Sequence, residues 1–274
     1  MKIEFVKMSG AGNDFIVIDN RSVMIVDGAA LARKICDRHW GVGADGLLLL
    51  ESSDKVSYRM MYYNADGSYG GMCGNGGRCI AMFAFRKKIA SKDHKFEALG
   101  HIYTTSIMAE DVSLNMQDPV SISKIRYLSI GKKKIAYQFI NTGSPHIVIN
   151  ITELIKNGDL DGLDVMHWGK LLRWHKKFSP AGTNPVNFMK KLESGAIQLR
   201  TFERGVEAET FACGTGSIAT AIIASKKWKL MPPITIIPTS KIPLIVEFDL
   251  NGSGIQNVKL SGPAVVTFAG NLDV

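Results

Sequence analysis

The sequence predicts an α/β (α+β) fold of two pseudo-symmetric units. Each unit is a sheet rolled around a central buried helix, and the active site is expected in a cleft between the units. Short motifs repeat in the same order in the two halves, and each half holds one helix that is apolar nearly all round. A helix without a polar face is buried. The 274 residues are 46% hydrophobic and 21% charged, a balance that supports a packed core.

The repeat consists of short motifs that recur in order. The first half contains GAGNDF (10–15), DRHWGVGADG (37–46), YRMMYYNADGS (58–68) and MCGNGGRC (72–79). The second half contains NTGSPH (141–146), RWHKKFSPAGTN (173–184), IQLRTFERGVE (197–207) and ACGTGS (212–217). Length differences fall between the motifs, where loops tolerate insertions. Duplication of one α/β unit explains this order better than chance recurrence of glycine-rich turns.

The elements of each unit follow from local patterns. Strands are predicted at KIEFVKMSG, VSYRMMYYN, AYQFINTGS and AIQLRTFE. One helix is predicted over DGAALARKICDRHW, with Asp27 as its cap, and its counterpart over VMHWGKLLRWHKKF. The buried helices are predicted over GGRCIAMFAFRKKI and GSIATAIIASKKW, which begin with small residues and end in lysines, as the helix dipole favours.

A boundary between the units is predicted near Asn115 to Ser121, where Pro119 interrupts regular structure. We expect one unit to span 1–117 plus 262–274 and to carry Cys73. The other is expected to span 118–261 and to carry Cys213. The last segment, VKLSGPAVVTFAGNLDV, is expected to pair back with the first unit.

Composition argues against several classes of protein. The net charge of +8 comes from scattered lysines, which favours a basic surface over a nucleic-acid partner. No apolar run approaches the length of a membrane span, and the first residues lack the apolar core of a signal peptide. The cysteines form no CxxC pair or zinc spacing. We therefore expect no metal, no membrane association and a cytoplasmic protein with reduced thiols.

The two Cys-Gly-x-Gly corners indicate acid–base chemistry. A helix N-terminus presents unpaired N–H groups, lowers the pKa of a thiol and binds anions. Two such corners related by a repeat suggest that one thiolate removes a proton from a tetrahedral carbon while the opposite thiol returns a proton on the other face. The corners would also stabilise the carboxylate as it takes up charge. No lysine lies in an obvious Schiff-base context, so no pyridoxal phosphate or other cofactor is expected.

The sequence also allows other interpretations of the cysteines. Cys73 and Cys213 could be packing residues, since unmodified cysteine is often buried, or they could form a disulfide with each other. Cys36 and Cys79 lie within apolar helical patterns, and we interpret both as core residues.

The ordered motifs resemble the diaminopimelate epimerase family. They are GAGNDF, GVGADG, YYNADGS, MCGNGGRC, TGSPH, GTN, ERG and ETFACGTG, and together they span nearly the whole chain. The resemblance implies two similar α/β units with the active site between them. It also implies cofactor-independent interconversion of LL- and meso-diaminopimelate, in lysine and peptidoglycan synthesis, and often a homodimer.

The resemblance also implies roles for particular residues. Cys73 and Cys213 would be the acid/base thiols, and His146 would lie near one of them. Backbone N–H groups would hold the reacting carboxylate, and side chains would contact the rest of the substrate. The N–H groups belong to Gly74, Asn75, Gly214 and Thr215, and the side chains to Asn13, Asn64, Asn184, Glu203 and Arg204. Arg204 suits the distal carboxylate, while Glu203 suits an ammonium or could assist a thiol.

Most of these side chains also have structural explanations. Asn13 and Asn64 lie in turn sequences, where asparagine is common. His146 follows Ser-Pro, a setting typical of a loop histidine. Glu203 and Arg204 could pair with each other at a strand end. The match of the whole ordered set makes them functional candidates.

The sequence departs from the family at a few positions. Gly46 stands where some members have a glutamine that contacts substrate, Ser144 stands where many have asparagine, and Pro185 directly follows Asn184. These departures concern substrate contacts more than proton transfer.

Three alternatives to the epimerase remain. A proline or hydroxyproline racemase would share the fold and two thiols but would need no site for a distal carboxylate. A same-fold isomerase would lack the paired cysteines. A non-catalytic anion- or nucleotide-binding protein would tolerate serine at both cysteine positions, and CGNGGR lacks the lysine of a phosphate-binding loop.

Overall fold

A computed structural model describes residues 2–178, 180, 182, 185–251 and 254–273. Contacts divide the chain into two compact units. Unit 1 comprises residues 1–115 and 261–274, and unit 2 comprises residues 116–260. Cys73 therefore belongs to unit 1 and Cys213 to unit 2.

Unit 1 is a mixed sheet with two helices. Its elements are β1 (Lys2–Gly10), β2 (Asn13–Asp19), α1 (Gly28–Ile35), β3 (Gly46–Glu51), β4 (Tyr58–Asn64), α2 (Gly74–Arg86), β5 (Asp93–Ala98), β6 (His101–Met108), β7 (Asp111–Asn115) and, from the end of the chain, β18 (Val265–Asp273). The sheet order is β18-β1-β2-β3-β4-β5-β6-β7, and the β2–β3 and β4–β5 pairs are parallel. Strand β18 runs antiparallel to β1 from Asp273 opposite Lys2 to Val265 opposite Ser9.

Unit 2 is likewise built from strands and two α-helices. Its elements are β8 (Ser121–Ile122), β9 (Arg126–Ile130), β10 (Lys133–Asn141), β11 (Pro145–Asn150), a 3₁₀ turn (Ile151–Glu153), α3 (Val165–Arg173), a second 3₁₀ turn (Lys176–Phe178), β12 (Val186–Lys191), β13 (Ile197–Glu203), β14 (Ala208–Thr210), α4 (Gly214–Trp228), β15 (Ile234–Ile237) and β16 (Leu244–Asn251). Strand β17 (Gly254–Pro263) contains the boundary with unit 1.

Strand pairing confirms the internal repeat. In unit 2, β10-β11 is antiparallel, β11-β12 parallel, β12-β13 antiparallel, β13-β15 parallel and β15-β16 antiparallel. Unit 1 has the same alternation over β1 to β6. Helices α1 and α3 fall at one equivalent position in the two orders, and α2 and α4 fall at another. The two halves are therefore two copies of one topology, as the ordered motifs predicted.

The central helix of each unit is buried along most of its length. In α2 every residue from Gly74 to Ala84 is buried, and in α4 every residue from Gly216 to Ser225 is buried. Helix α2 contacts β1 to β4, β6 and β7, and α4 contacts β10 to β13, β15 and β16. Strands thus surround each helix on several sides, which explains why neither has a polar face.

The outer helices begin as predicted but are shorter. Asp27 caps α1 by accepting a hydrogen bond from the Ala30 N–H at 2.8 Å, and Asp164 caps α3 through the His167 N–H at 2.9 Å. The prediction that α1 runs to Trp40 was wrong, because the Asp37 carboxylate accepts the N–H groups of His39 and Trp40 in a turn.

The prediction that α3 runs to Phe178 was also wrong. Contacts with neighbouring strands replace its last turn. His175 Nε2 bonds the Ser129 carbonyl at 3.1 Å, Lys177 Nζ donates to the Tyr127 carbonyl at 3.2 Å, and the Phe178 ring packs edge-on against Tyr137. Within the described ranges, no helix is both long and apolar enough to cross a membrane.

Candidate active site

Cys73 and Cys213 occupy the same structural position in their units. Each is the N-cap of the central helix, with φ/ψ of −119°/124° at Cys73 and −117°/112° at Cys213. The Cys73 carbonyl accepts the Gly77 N–H at 2.7 Å, and the Cys213 carbonyl accepts the Ser217 N–H at 2.8 Å. Each sulfur therefore belongs to a residue that precedes the unpaired N–H groups of a helix's first turn.

A glycine stands three residues after each cysteine for a steric reason. A Cβ at Gly216 would lie 2.5 Å from Asn187 Oδ1 and 3.2 Å from Cys213 Sγ. A Cβ at Gly76 would lie 3.2 Å from Leu48 Cδ2 and 3.6 Å from the Cys73 Cβ. The restriction is tighter in unit 2, because a polar side-chain atom there approaches the helix closely.

The cysteines fall into two environments. Cys36 and Cys79 are 2% and 0% exposed, and burial raises the pKa of each thiol to about 12. Both are core thiols, as predicted from their helical patterns. Cys73 is half-buried, whereas Cys213 is 5% exposed and its Sγ lies 3.7 Å from Thr215 Oγ1.

A chain of polar side chains leads away from the Cys73 corner in unit 1. Arg78, in α2, donates from Nη2 to Asn75 Oδ1 at 2.9 Å. Asn75 donates from Nδ2 to Asn13 Oδ1 at 3.2 Å, and Asn13 donates from Nδ2 to Asp45 Oδ2. Asn13 and Asn75 were both predicted as substrate-binding residues, and the fold brings them into contact.

An ionic cluster lies at the far end of this chain. Asp14 pairs with Lys7 at 2.9 Å and with Arg38 at 2.8 Å, and Arg38 also pairs with Asp45 at 2.8 Å. Burial alone would raise the pKa of Asp14, but hydrogen bonds from Arg38 and Lys7 outweigh it and lower that pKa to about 2. These carboxylates join the GAGNDF and GVGADG motifs and fix the position of Asn13.

Asn64 is held within its own turn. Its Oδ1 accepts from Tyr62 Oη at 2.7 Å, and its Nδ2 donates to Ser68 Oγ at 2.9 Å. The Tyr62 ring also explains two neighbouring glycines, because a Cβ at Gly46 or Gly70 would lie 2.5 or 2.3 Å from its carbon atoms. A Cβ at Gly46 would also lie 2.6 Å from the Tyr63 carbonyl, so ring and backbone together leave no room for a side chain at position 46.

His146 is buried in unit 2 as a neutral imidazole. It lies in β11, is 0% exposed, and burial lowers its pKa to about 3. Asn187 Nδ2 lies 3.2 Å from its Nδ1, and Asn187 Oδ1 accepts from Thr201 Oγ1 at 3.0 Å. Because Asn187 Oδ1 also approaches Gly216, this group connects His146 with the first turn of α4.

A second contact fixes the same helix turn. Thr142 Oγ1 donates to the Thr215 carbonyl at 3.1 Å. Thr142 belongs to NTGSPH, so this motif holds the first turn of α4, and the equivalent GAGNDF approaches α2, where a Cβ at Gly10 would lie 2.8 Å from the Asn75 carbonyl. Ser144, in the same motif, is half-buried.

Glu203 and Arg204 lie at the end of β13. Glu203 is half-buried, and its Oε2 accepts from Thr210 Oγ1 at 2.8 Å. Arg204 is exposed in the turn that follows. Asn184, a further predicted substrate-binding residue, lies outside the described residues. In the described part of the chain, no three His, Cys, Asp or Glu side chains are grouped as metal ligands.

Sequence reasoning missed four residues that hold the candidate site together: Asp14, Asp45, Arg78 and Asn187. Asp14, Asp45 and Arg78 lie inside the motifs that defined the repeat, so their positions carried a signal that was not used. Asn187 lies in an apolar strand, and an isolated asparagine at a buried strand position was the available sign.

Comparison with solved structures establishes the fold. The hydroxyproline epimerase from Agrobacterium vitis matches 99% of this chain and 92% of its own with a TM-score of 0.72 and 12% identity. The Bacillus anthracis phenazine biosynthesis protein of the PhzF family matches 100% of both chains with a TM-score of 0.72 and 14% identity. At such identities the likeness establishes the fold, a two-unit α/β fold that these proteins share.

Sequence comparison then gives the family. The profile described as diaminopimelate epimerase matches residues 5–122 and 138–238. The diaminopimelate epimerase of Chlorobaculum tepidum is 40% identical over 97% of this chain and 99% of its own length. That of Aquifex aeolicus is 34% identical over 98% of both chains. The chain belongs to the diaminopimelate epimerase family, an amino-acid epimerase family, as its motifs predicted.

Proposed function

We propose that this protein interconverts LL- and meso-diaminopimelate by proton transfer between two cysteines, without a cofactor. One observation carries the proposal. Cys73 and Cys213 cap the two central helices with nearly the same backbone geometry, in a chain of the diaminopimelate epimerase family. A pair of equivalent thiols suits a reaction that removes a proton from one face of a carbon and adds a proton to the other.

In the proposed mechanism, one cysteine begins as thiolate and the other as thiol. The thiolate takes the α-proton, and the electron pair of the broken C–H bond moves into the substrate carboxylate. The opposite thiol then donates its proton to the other face of the α-carbon. The two sulfurs exchange protonation states in each turnover, and exchange with solvent restores the starting state. Reversal of these roles supports the reverse reaction.

The first turns of α2 and α4 would stabilise the charge that develops on the carboxylate. Backbone N–H groups of Gly74, Asn75, Gly214 and Thr215 are the proposed donors, because the first N–H groups of a helix lack intrahelical acceptors. Donors of this kind are fixed before the reaction and need no reorganisation during it. His146 is proposed to support the Cys213 corner as a neutral group.

Side chains would select a substrate with two charged ends. Arg204 is proposed to bind the distal carboxylate, since its guanidinium can form two parallel hydrogen bonds. Glu203 would bind an ammonium group or assist a thiol. Asn13, Asn64 and Asn184 are the proposed neutral contacts. We further propose that the protein works as a homodimer in the cytoplasm, where its thiols stay reduced.

The decisive experiment is incubation with LL-diaminopimelate in heavy water under reducing conditions, followed by chiral separation and mass spectrometry. We expect the meso isomer to form with one deuterium at the inverted α-carbon. Inversion without deuterium would contradict proton exchange through the thiols. Proline and 4-hydroxyproline serve as alternative substrates, and turnover of these in place of diaminopimelate would favour the racemase instead.

A further inference from the structure

Arg78 is a buried cation to which the proposed mechanism assigns no role. It lies in α2, five residues after Cys73, and it is 0% exposed, the largest of the fully buried side chains. Among the described residues no carboxylate lies within ion-pair distance of it, and its Nε has no hydrogen-bond partner. A buried charge without a counterion is costly, so packing alone gives little reason to keep an arginine here.

The equivalent position in unit 2 shows that an apolar side chain can fill this place. Counting five residues from Cys213 reaches Ile218, which is also 0% exposed. The two helices share their topology and their N-cap geometry. The guanidinium is therefore specific to unit 1, and the contacts it makes there should explain it.

The contacts of Arg78 order a chain of amides. A guanidinium only donates hydrogen bonds, so its 2.9 Å contact fixes Asn75 with Oδ1 towards Arg78 and Nδ2 towards Asn13. A second contact, from Nη1 to the Gly74 carbonyl at 3.3 Å, holds the guanidinium against the first turn of the helix.

Asn13 is fixed from both ends of this chain. Its Oδ1 accepts from Asn75, and its Nδ2 donates to the Asp45 carboxylate, which can only accept. Each amide therefore has one orientation that fits its neighbours: Asn75 must accept from Arg78, and Asn13 must donate to Asp45. These contacts use one of the two Asn13 N–H groups and one of its lone pairs, so the remaining N–H points in a direction that the chain determines.

We propose that Arg78 is a positioning residue, whose guanidinium sets the amide orientation of Asn75 and, through it, that of Asn13. This inference rests on the proposed function, in which both asparagines contact the substrate. Arg78 itself would touch neither the substrate nor the reacting sulfur. Burial lowers the pKa of Arg78, yet an arginine keeps its charge throughout the pH range of an enzyme assay, so the orientation should not change with pH.

The matching residues of unit 2 cannot form the same chain of amides. The positions that correspond to Asn13, Asn75 and Arg78 are Ser144, Thr215 and Ile218. Unit 1 thus orders its polar groups through a chain of amides that unit 2 does not share.

A double-mutant cycle tests the inference through kcat/KM for LL-diaminopimelate. Arg78→Met should lower kcat/KM about tenfold, the effect of losing one hydrogen bond to a charged group. In an Asn13→Ala background the same substitution should have much less effect, because the group that Arg78 orients is gone. If Arg78→Met lowers kcat/KM by the same factor in the wild-type and Asn13→Ala backgrounds, the inference is overturned. Ile218→Ala is the packing control, and its effect should be the same with and without Asn13.

Two further measurements keep the test informative. If Arg78→Met does not fold, Arg78→Ile takes its place, because isoleucine fills the equivalent buried position 218 and cannot donate a hydrogen bond to Asn75. Side-chain amide exchange, measured by NMR on asparagine-labelled protein, does not depend on activity. The Asn13 amide should exchange faster in the Arg78 variant than in wild type or Ile218→Ala, and an unchanged rate would refute the inference. An inactive wild-type protein would instead refute the proposed function.

Discussion

Asn187 Nδ2 lies 3.2 Å from the imidazole Nδ1 of His146, and it also donates to the carbonyls of Ile147 at 3.0 Å and Pro185 at 3.1 Å. The amide has two N–H donors for these three acceptors, so Asn187 ties the His146 ring to the adjoining backbone of β11. Nε2 has no partner among the described side chains and backbone groups. With a pKa of about 3, His146 stays neutral at physiological pH.

The low pKa of His146 predicts a stability that falls with acid. The pKa is about 3 in the folded state and about 6.5 in the unfolded chain. Between these values the unfolded chain binds the proton and the folded protein does not. Stability should therefore fall as pH drops from about 6.5, by up to about 1.4 kcal/mol per pH unit.

Urea unfolding of wild type and His146→Gln between about pH 4 and 6.5 measures this effect. The variant should have a flatter dependence on pH than wild type. Equal slopes in wild type and His146→Gln would show that His146 binds protons equally in the folded and unfolded states, which contradicts the lowered pKa.

Replacement of either proposed catalytic cysteine should abolish epimerisation. Cys73→Ala and Cys213→Ala each remove one of the two proton carriers, so neither variant should convert LL-diaminopimelate at a measurable rate. Cys36→Ala, in the core, should retain activity with reduced stability. Circular dichroism checks the fold of each variant, and normal turnover by a folded Cys73→Ala or Cys213→Ala protein would exclude the two-base mechanism.

Gly216→Ala should be more damaging than Gly76→Ala. The new methyl group would lie 2.5 Å from Asn187 Oδ1 in the first case, and 3.2 Å from the end of the flexible Leu48 side chain in the second. Displacement of Asn187 would disturb His146 and cost about 1–3 kcal/mol. Urea unfolding and kcat/KM compare the two, and similar losses would mean that Asn187 yields without cost.

Asp14→Asn should destabilise the fold by about 2–3 kcal/mol, because Lys7 is left buried without its charged partner. Asp19→Asn is the matched control. Its pair with Arg21 is largely exposed, so the cost should stay below about 1 kcal/mol.

The contribution of the Asp14–Lys7 pair to the stability of the fold should also depend on pH. The pKa of Asp14 is about 2 in the folded state, against a usual value of 3.8. Its contribution should therefore be present above about pH 4 and lost as pH falls towards 2. Acid unfolding of the Asp14→Asn variant should lack this component, and an unchanged acid transition would contradict the assignment.

Arg204→Lys should raise KM for LL-diaminopimelate about tenfold, because an ammonium cannot form the two parallel bonds that a guanidinium makes with a carboxylate. Arg126→Lys, at an exposed position of the same unit, is the control and should not change KM. Unchanged kinetics of Arg204→Lys would remove Arg204 from the distal carboxylate site.

Much of the fold could be predicted from the sequence, because its signals are local. The ordered motifs gave the duplicated topology, and the absence of a polar face gave the buried central helices. Asp27 gave the start of α1. The end of α1 depends on the local turn at Asp37, a signal that was not used, whereas the end of α3 could not be predicted because contacts with distant strands decided it. His175 and Lys177 bond to carbonyls of β9, which lies far away along the chain.

The candidate site also has features that the sequence predicts and features that only the structure reveals. The sequence by itself determined which cysteines stand at helix starts and which motifs accompany them, since these depend on neighbouring residues. Only the tertiary structure decided that Arg78, Asn75, Asn13 and Asp45 form one chain and that Asn187 lies against the His146 ring. Hydrogen bonds between residues far apart in sequence depend on how strands and helices pack, and no local pattern specifies that packing.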